Sequence, residues 1–188
     1  MLIRLWRCSS VYHAIHITLF RPLQEAEGVQ LPIEVGSPRN LCFLHASEIM
    51  EVIWTYRKAF SLQHSSCVGL LGPYMVVLTL SAQLRDGPHK NEAFVRACQA
   101  LAEHADNFPV APYVLAMLKA LDMEYQFGFP EEARVILHES NLHPEDLEDI
   151  PMEMRINIPL RDRGAAATSE SVGELLARWA GPSGEDSQ

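Results

Sequence analysis

The four cysteines of this 188-residue sequence, Cys8, Cys42, Cys67 and Cys98, stand far apart and form no Cys-x-x-Cys pair. That spacing signals neither a structural zinc site nor a disulfide framework, so they read as reduced, packed thiols. Long apolar runs are also missing. The most hydrophobic stretch, Cys67 to Leu80, is interrupted by Gly69, Gly72 and Pro73 and falls short of the roughly 20 residues a bilayer requires. Arg4 and Arg7 precede an apolar stretch, but His13, His16 and Thr18 break it and no small-residue cleavage site follows, which argues against a secretory signal. Basic residues are scarce: 15 Lys and Arg face 24 Asp and Glu, for a formal charge of -9. A chain so charged is poorly suited to embrace a phosphate backbone, and no direct nucleic-acid contact is expected.

Catalytic signatures are lacking too. There is no nucleophile with its base, no glycine-rich phosphate loop and no carboxylate pair in a defined setting, so no enzyme, no metal and no cofactor is expected in this chain. Glu131 and Glu132 follow Pro130 at a helix start, where the helix dipole accounts for them. Asp146, Glu148 and Asp149 read as a solvated face, and Glu103, His104 and Asp106 spread over different sides of one helix. His13 and His16 can share a helical face, and Cys42 with His45 is a similar near miss; neither pair has further ligands at recognisable spacing. The other histidines are scattered.

Hydrophobic residues make up 48% and charged residues 21%, the balance of a chain that folds, and the length suits one domain plus tails. Helical patterns dominate. Residues 8–21 place Val11, Ile15 and Leu19 four apart and end at Pro22; Ser37-Pro38 caps a helix running to about Phe60 with Ile49, Val52, Ile53, Tyr56 and Phe60 on one face. The stretch 66–84 is apolar all round and predicts a central helix, bent at Pro73. After the Asp86-Gly87-Pro88 turn, Phe94, Val95, Cys98, Leu101, Ala102 and Ala105 form a stripe, and Val110 to Tyr125 and Glu131 to His138 give two more. The expected fold is all-α: an irregular bundle of about six helices over 1–139, packed as two antiparallel pairs. An extended linker is expected over 140–163, where Met152, Met154, Ile156 and Ile158 alternate, and a mostly disordered acidic tail over 164–188.

That tail holds one local signal. Ser171 and Glu174 have capping-box spacing, Gly181-Pro182 supplies a stop, and Val172, Leu175, Leu176 and Trp179 fall at helical spacing between them. A helix over 171–180 is too short to persist alone, since isolated helices need roughly 12 to 15 residues, so it must dock on a protein partner or on the chain's own core.

The block Tyr12-His13-Ala14-Ile15-His16-Ile17-Thr18-Leu19-Phe20-Arg21-Pro22 resembles the helix ending in Arg-Pro in the middle-homology region of fungal binuclear zinc-cluster transcription factors. Ala46, Ile49, Tyr56-Arg57 and Leu62, then Phe94, Cys98, Ala100-Leu101 and Phe108 through Ala111, Leu115 and Leu118, follow in the order seen in activators of the nitrate-assimilation type. The resemblance runs from about Tyr12 to Tyr125. It implies a regulatory, non-DNA-reading portion of such a factor, acting in the nucleus through protein partners, its own upstream domain or a small-molecule effector. It also implies that zinc belongs only to an N-terminal six-cysteine cluster that nothing here matches, so the chain reads as a truncated or separated fragment. Tyr12, His13, Arg21, Pro22, Tyr56 and Arg57 carry the family motifs. A fragment of this kind exposes faces normally covered, with Val11, Ile15 and Leu19 of the first helix foremost, and self-association is expected. Without the resemblance, the patterns fit a helical interaction scaffold unrelated to transcription and cytoplasmic, though no fixed period repeats.

Overall fold

The computed structural model describes residues 2–24, 36–65, 67–81, 84, 88–125 and 128–139. The expected linker 140–163 and tail 164–188, with its helix 171–180, lie outside the described residues. Within them the chain is all-α, with six α-helices and no strand: α1 Leu2–Phe20, α2 Pro38–Ala59, α3 Cys67–Leu80, α4 Pro88–His104, α5 Val110–Tyr125 and α6 Glu131–Glu139. No helix among the described residues is long and apolar enough to cross a membrane.

Local chemistry sets the boundaries. Ser37 caps α2 by accepting from the Asn40 amide at 3.2 Å, and Pro38 takes the first helical position, where a missing N–H costs nothing. Arg57 and Lys58 lie in the last turn of α2, opposite its negative dipole end. α1 stops at Phe20, and the Arg-Pro that follows tightens into a 3-10 turn over Arg21–Gln24. Gly128, at φ 71°, supplies the left-handed residue that turns the chain from α5 into α6. Asp122 ties that turn down by accepting from the Phe129 amide at 3.2 Å and from Arg134 Nε at 2.8 Å.

Two expectations about packing change. α3 is central, as its pattern predicts, but α4 shares the centre where two antiparallel pairs were expected: α3 packs on α1, α2, α4 and α5, while α4 packs on α2, α3, α5 and α6. The reason is the composition of α3, which carries no charged side chain and so has no face to give to water. The glycines read as breaks in that segment are points of close approach. A Cβ on Gly72 would sit 2.7 Å from Ile53 Cδ1 and 2.9 Å from Ile49 Cγ2, so the missing side chain is what lets α3 and α2 meet at this distance. Pro73 lies inside α3, which continues to Leu80.

α1 begins near the first residue, earlier than the pattern from residue 8 predicts. Its buried face is Trp6, Ser10, Ala14 and Ile17; Val11, Ile15 and Leu19 form the opposite, solvent-facing stripe, with Ile15 52% and Leu19 62% exposed. From Cys8 to Phe20 the helix has no Asp, Glu, Lys or Arg, so its outer face carries no formally charged carboxylate, ammonium or guanidinium. Cys42 and Cys98 are buried thiols, and burial pushes both pKa values up; Cys8 is exposed, unlike the packed thiol expected.

Candidate functional site

α1 and α2 run antiparallel. Ile17 lies beside Cys42, His13 beside His45, and Trp6 beside Tyr56, so descending positions on one helix meet ascending positions on the other. At the Trp6 end of this seam lies an open groove of about 390 Å³, lined by Trp6 and Ser9 of α1, by Glu51, Val52, Thr55, Tyr56 and Ala59 of α2, and by its C-cap Phe60. The aromatic rings are layered: Trp6 stacks on Tyr56 with centroids 4.1 Å apart and planes 20° off parallel, and Tyr56 leans on Phe60 at 5.0 Å. Trp6 is 7% exposed and forms a fixed wall, whereas Phe60 is 43% exposed and open to an occupant. A concave, largely apolar surface of this size suits one or two bulky apolar side chains rather than a charged ligand.

Tyr56 and Arg57, adjacent in sequence, point to different duties. Tyr56 supplies the groove floor. Arg57 turns to α4, where its Nε donates to both carboxylate oxygens of Glu103 at 2.7 and 3.0 Å, and its guanidinium lies 4.9 Å from the Trp54 ring centre. The bonds to Glu103 raise the Arg57 pKa further and fix the C-terminal end of α2 on α4. Arg96 braces the same helix from α4 through Glu51 at 2.9 Å, so the α2 wall is tied to α4 at two points.

The other motif residues gather at the opposite end of the α1–α2 seam. Tyr12 is exposed, and its ring contacts His13, His16 and His45. His13 Nδ1 and His45 Nδ1 are 2.9 Å apart, and the His16 and His45 rings lie 4.4 Å apart. Arg21 bears electrostatically on the Cys42 thiol and on Tyr74 of α3, and Pro22 is exposed within the 3-10 turn. The sequence shows His13–His16 and Cys42–His45 as two unrelated pairs; the fold brings three of those histidines together. No group of three or more His, Cys, Asp and Glu side chains among the described residues is placed to hold a metal ion.

A second polar link went unseen in the sequence. His104 is fully buried, with Nε2 2.7 Å from Ser65 Oγ and Nδ1 donating to the Ala100 carbonyl at 2.5 Å. Burial lowers its pKa against the opposing pull of the bond to Ala100 and of the neighbouring Glu103, whose carboxylate pairs with Arg57. The Ser65–His104 pair is shut away from solvent and locks the turn before α3 to α4. Val172, Leu175, Leu176 and Trp179 lie outside the described residues.

Over 128 residues, 67% of this chain, the sequence is 26% identical to the nitrogen assimilation transcription factor nit-4 of Neurospora crassa, and the matched stretch is 12% of that protein. The similarity supports a fungal transcription-factor-like relationship and, in general terms, a role in regulating transcription. The chain covers only a small part of its relative. No known family description matches it, and no solved structure matches it.

Proposed function

We propose that the chain is the regulatory, non-DNA-reading and non-enzymatic portion of a fungal zinc-cluster transcription factor, working in the nucleus, and that its helical body restrains activation by holding its own segment 171–180 in the α1–α2 groove. The observation that carries this reading is the open aromatic groove of Trp6, Tyr56 and Phe60, formed on a helix that bears one of the resemblance motifs. Val172, Leu175, Leu176 and Trp179 present the apolar side chains such a groove takes, in the helix-in-groove mode. Charge does not oppose it: segment 171–180 balances one acid, Glu174, with one base, Arg178, and Lys58 is exposed at the C-terminal end of α2. Reach agrees as well. The chain between Glu139 and Ser171 spans roughly 30 Å even as an unstructured coil, comparable with the width of a domain this size. A tethered segment meets the groove at an effective concentration near the millimolar range, so modest intrinsic affinity suffices. A protein partner or a small-molecule effector that takes the groove releases the segment for contact with the transcription machinery.

The test is reporter activation by the full chain fused to an unrelated DNA-binding domain. Phe60→Asp, at a position that tolerates polarity because it is exposed, should raise activation, and Leu176→Ala with Trp179→Ala should abolish it. Unchanged activation in a folded Phe60→Asp protein refutes restraint by the groove. A second reading, a helical scaffold unrelated to transcription, draws on one observation, the apolar outer face of α1 at Val11, Tyr12, Ile15 and Leu19, which suits contact with another protein of any kind.

A further inference from the structure

The histidine cluster sits on the same seam as the groove and on the same two helices. His13 and His45 share one short contact, Nδ1 to Nδ1 at 2.9 Å, which is a hydrogen bond only while one of the two rings is neutral and accepts. His16 Nδ1 lies 2.9 Å from the Tyr12 carbonyl and donates to it. The surroundings offer little to balance positive charge. Glu48 on α2 is the carboxylate that acts on His13; α3, packed behind α1, carries no charged side chain; the 3-10 turn brings Arg21, whose charge acts on Cys42 and Tyr74. The rings are also only partly solvated.

We propose that His13, His16 and His45 form a proton-sensitive latch on the α1–α2 seam, and that protonating it loosens α1 and widens the Trp6–Tyr56 groove. The consequence for the groove rests on the function proposed above. The first proton is held between His13 and His45 and attracted by Glu48. A second turns the accepting nitrogen into a donor, so two N–H groups face each other where one bond had been, and a charge on His16 adds repulsion within the same cluster. Trp6 lies seven residues from His13 on the same helix, roughly 10 Å along its axis, so a shift of α1 at the latch is carried as a rigid rod to the Trp6–Tyr56 stack.

Burial, and then the neighbouring histidines, lower the pKa of His45; burial lowers that of His13 and His16 lowers it further, against the pull of Glu48. A histidine whose folded pKa is depressed stabilises the fold fully above its ordinary value near 6.5, and that contribution is lost as the pH falls below it. The latch is therefore closed at neutral pH and opens on acidification. His104, buried elsewhere, titrates in the same sense, so the informative quantity is the difference between the unmodified chain and a latch variant.

The experiment uses the full chain with Trp54→Phe and Trp179→Phe, which leaves Trp6 as the sole indole. Its thermal midpoint and the quenching of Trp6 by acrylamide are read from pH 7.5 to pH 5. The midpoint should fall by about 4 °C more than in the same protein carrying His45→Gln or His13→Gln. Trp6 should become more accessible to quencher on acidification, and these variants should flatten that response. The difference in thermal midpoint between parent and latch variants is set at the histidines, so it stands whether or not segment 171–180 occupies the groove. A pH response equal in both variants and the parent, or a Trp6 signal that ignores pH, overturns the latch. Should both variants unfold at pH 7.5, proton NMR of the unmodified chain decides between the same two results: depressed titration of His13 and His45 supports it, and ordinary titration of both overturns it.

Discussion

Adding one methyl group to Gly72 tests the packing that holds α2, and with it the groove wall, in place. Alanine is the better helix former by roughly 1 kcal/mol, so on propensity alone Gly72→Ala in the middle of α3 should stabilise the protein. The new Cβ, however, would lie 2.7 Å from Ile53 Cδ1 and 2.9 Å from Ile49 Cγ2. Ile53 Cδ1 is a chain end and can swing about χ2. Ile49 Cγ2 is attached to the branched β-carbon and moves only with χ1, which is stiff in a helix. Both isoleucines are completely buried, leaving no solvent to move into. Overpacking of this kind costs about 1–3 kcal/mol, which outweighs the propensity gain. The expected net loss, up to about 2 kcal/mol, corresponds to a melting temperature lower by up to about 8 °C, read by calorimetry or circular dichroism. Ile53→Val, which removes Cδ1, should recover part of the loss in the double variant, because residues in contact do not behave additively. A higher melting temperature for Gly72→Ala refutes the close approach of α2 and α3.

Ser65→Ala should cost about 1–3 kcal/mol, since it leaves the fully buried Nε2 of His104 without a partner, whereas Ser61→Ala at an exposed turn should change much less. The Arg57–Glu103 bond is about a third exposed or more on each side, so a double-mutant cycle with Arg57→Ala and Glu103→Gln should return a coupling of only about 0.5–1 kcal/mol; a value several times larger contradicts the solvated reading of that pair. Replacing Val11, Ile15 and Leu19 together with polar residues should leave the melting temperature nearly unchanged and reduce concentration-dependent association in sedimentation, because all three face solvent. Equimolar zinc should leave the melting temperature where it is, and a rise that His13→Gln abolishes would show that the histidine cluster holds metal.

Helices were legible because each has local punctuation. Ser37-Pro38 opens α2, the apolar stripe from Phe94 to Leu101 marks α4, and Pro130 with Glu131 and Glu132 opens α6. A segment without charge had to be central, and α3 is. What escaped depends on residues distant in the chain. His45 meets His13 across 32 residues, and His104 meets Ser65 across 39, separations at which helical periodicity carries no information. Gly69 and Gly72 look like breaks to local propensity, whereas tertiary packing uses their missing side chains. α1 shows two apolar stripes, and spacing alone does not say that the small residues Ser10 and Ala14, with Trp6 and Ile17, turn inward. Tyr56 and Arg57 were singled out by resemblance; the groove that Tyr56 lines needed Trp6, which lies before the residue from which periodicity first marks a helix.

The most direct measurement of the central claim places a photo-crosslinking aromatic at position 60 in the full chain, irradiates it at low concentration and identifies the products by mass spectrometry. Phe60 is an exposed edge of the groove, so the probe enters it without disturbing the core. Intramolecular cross-links to residues 171–180 that disappear with Leu176→Ala and Trp179→Ala are the expected result. Irradiation that yields no product within 171–180, from a chain with an unchanged melting temperature, contradicts it.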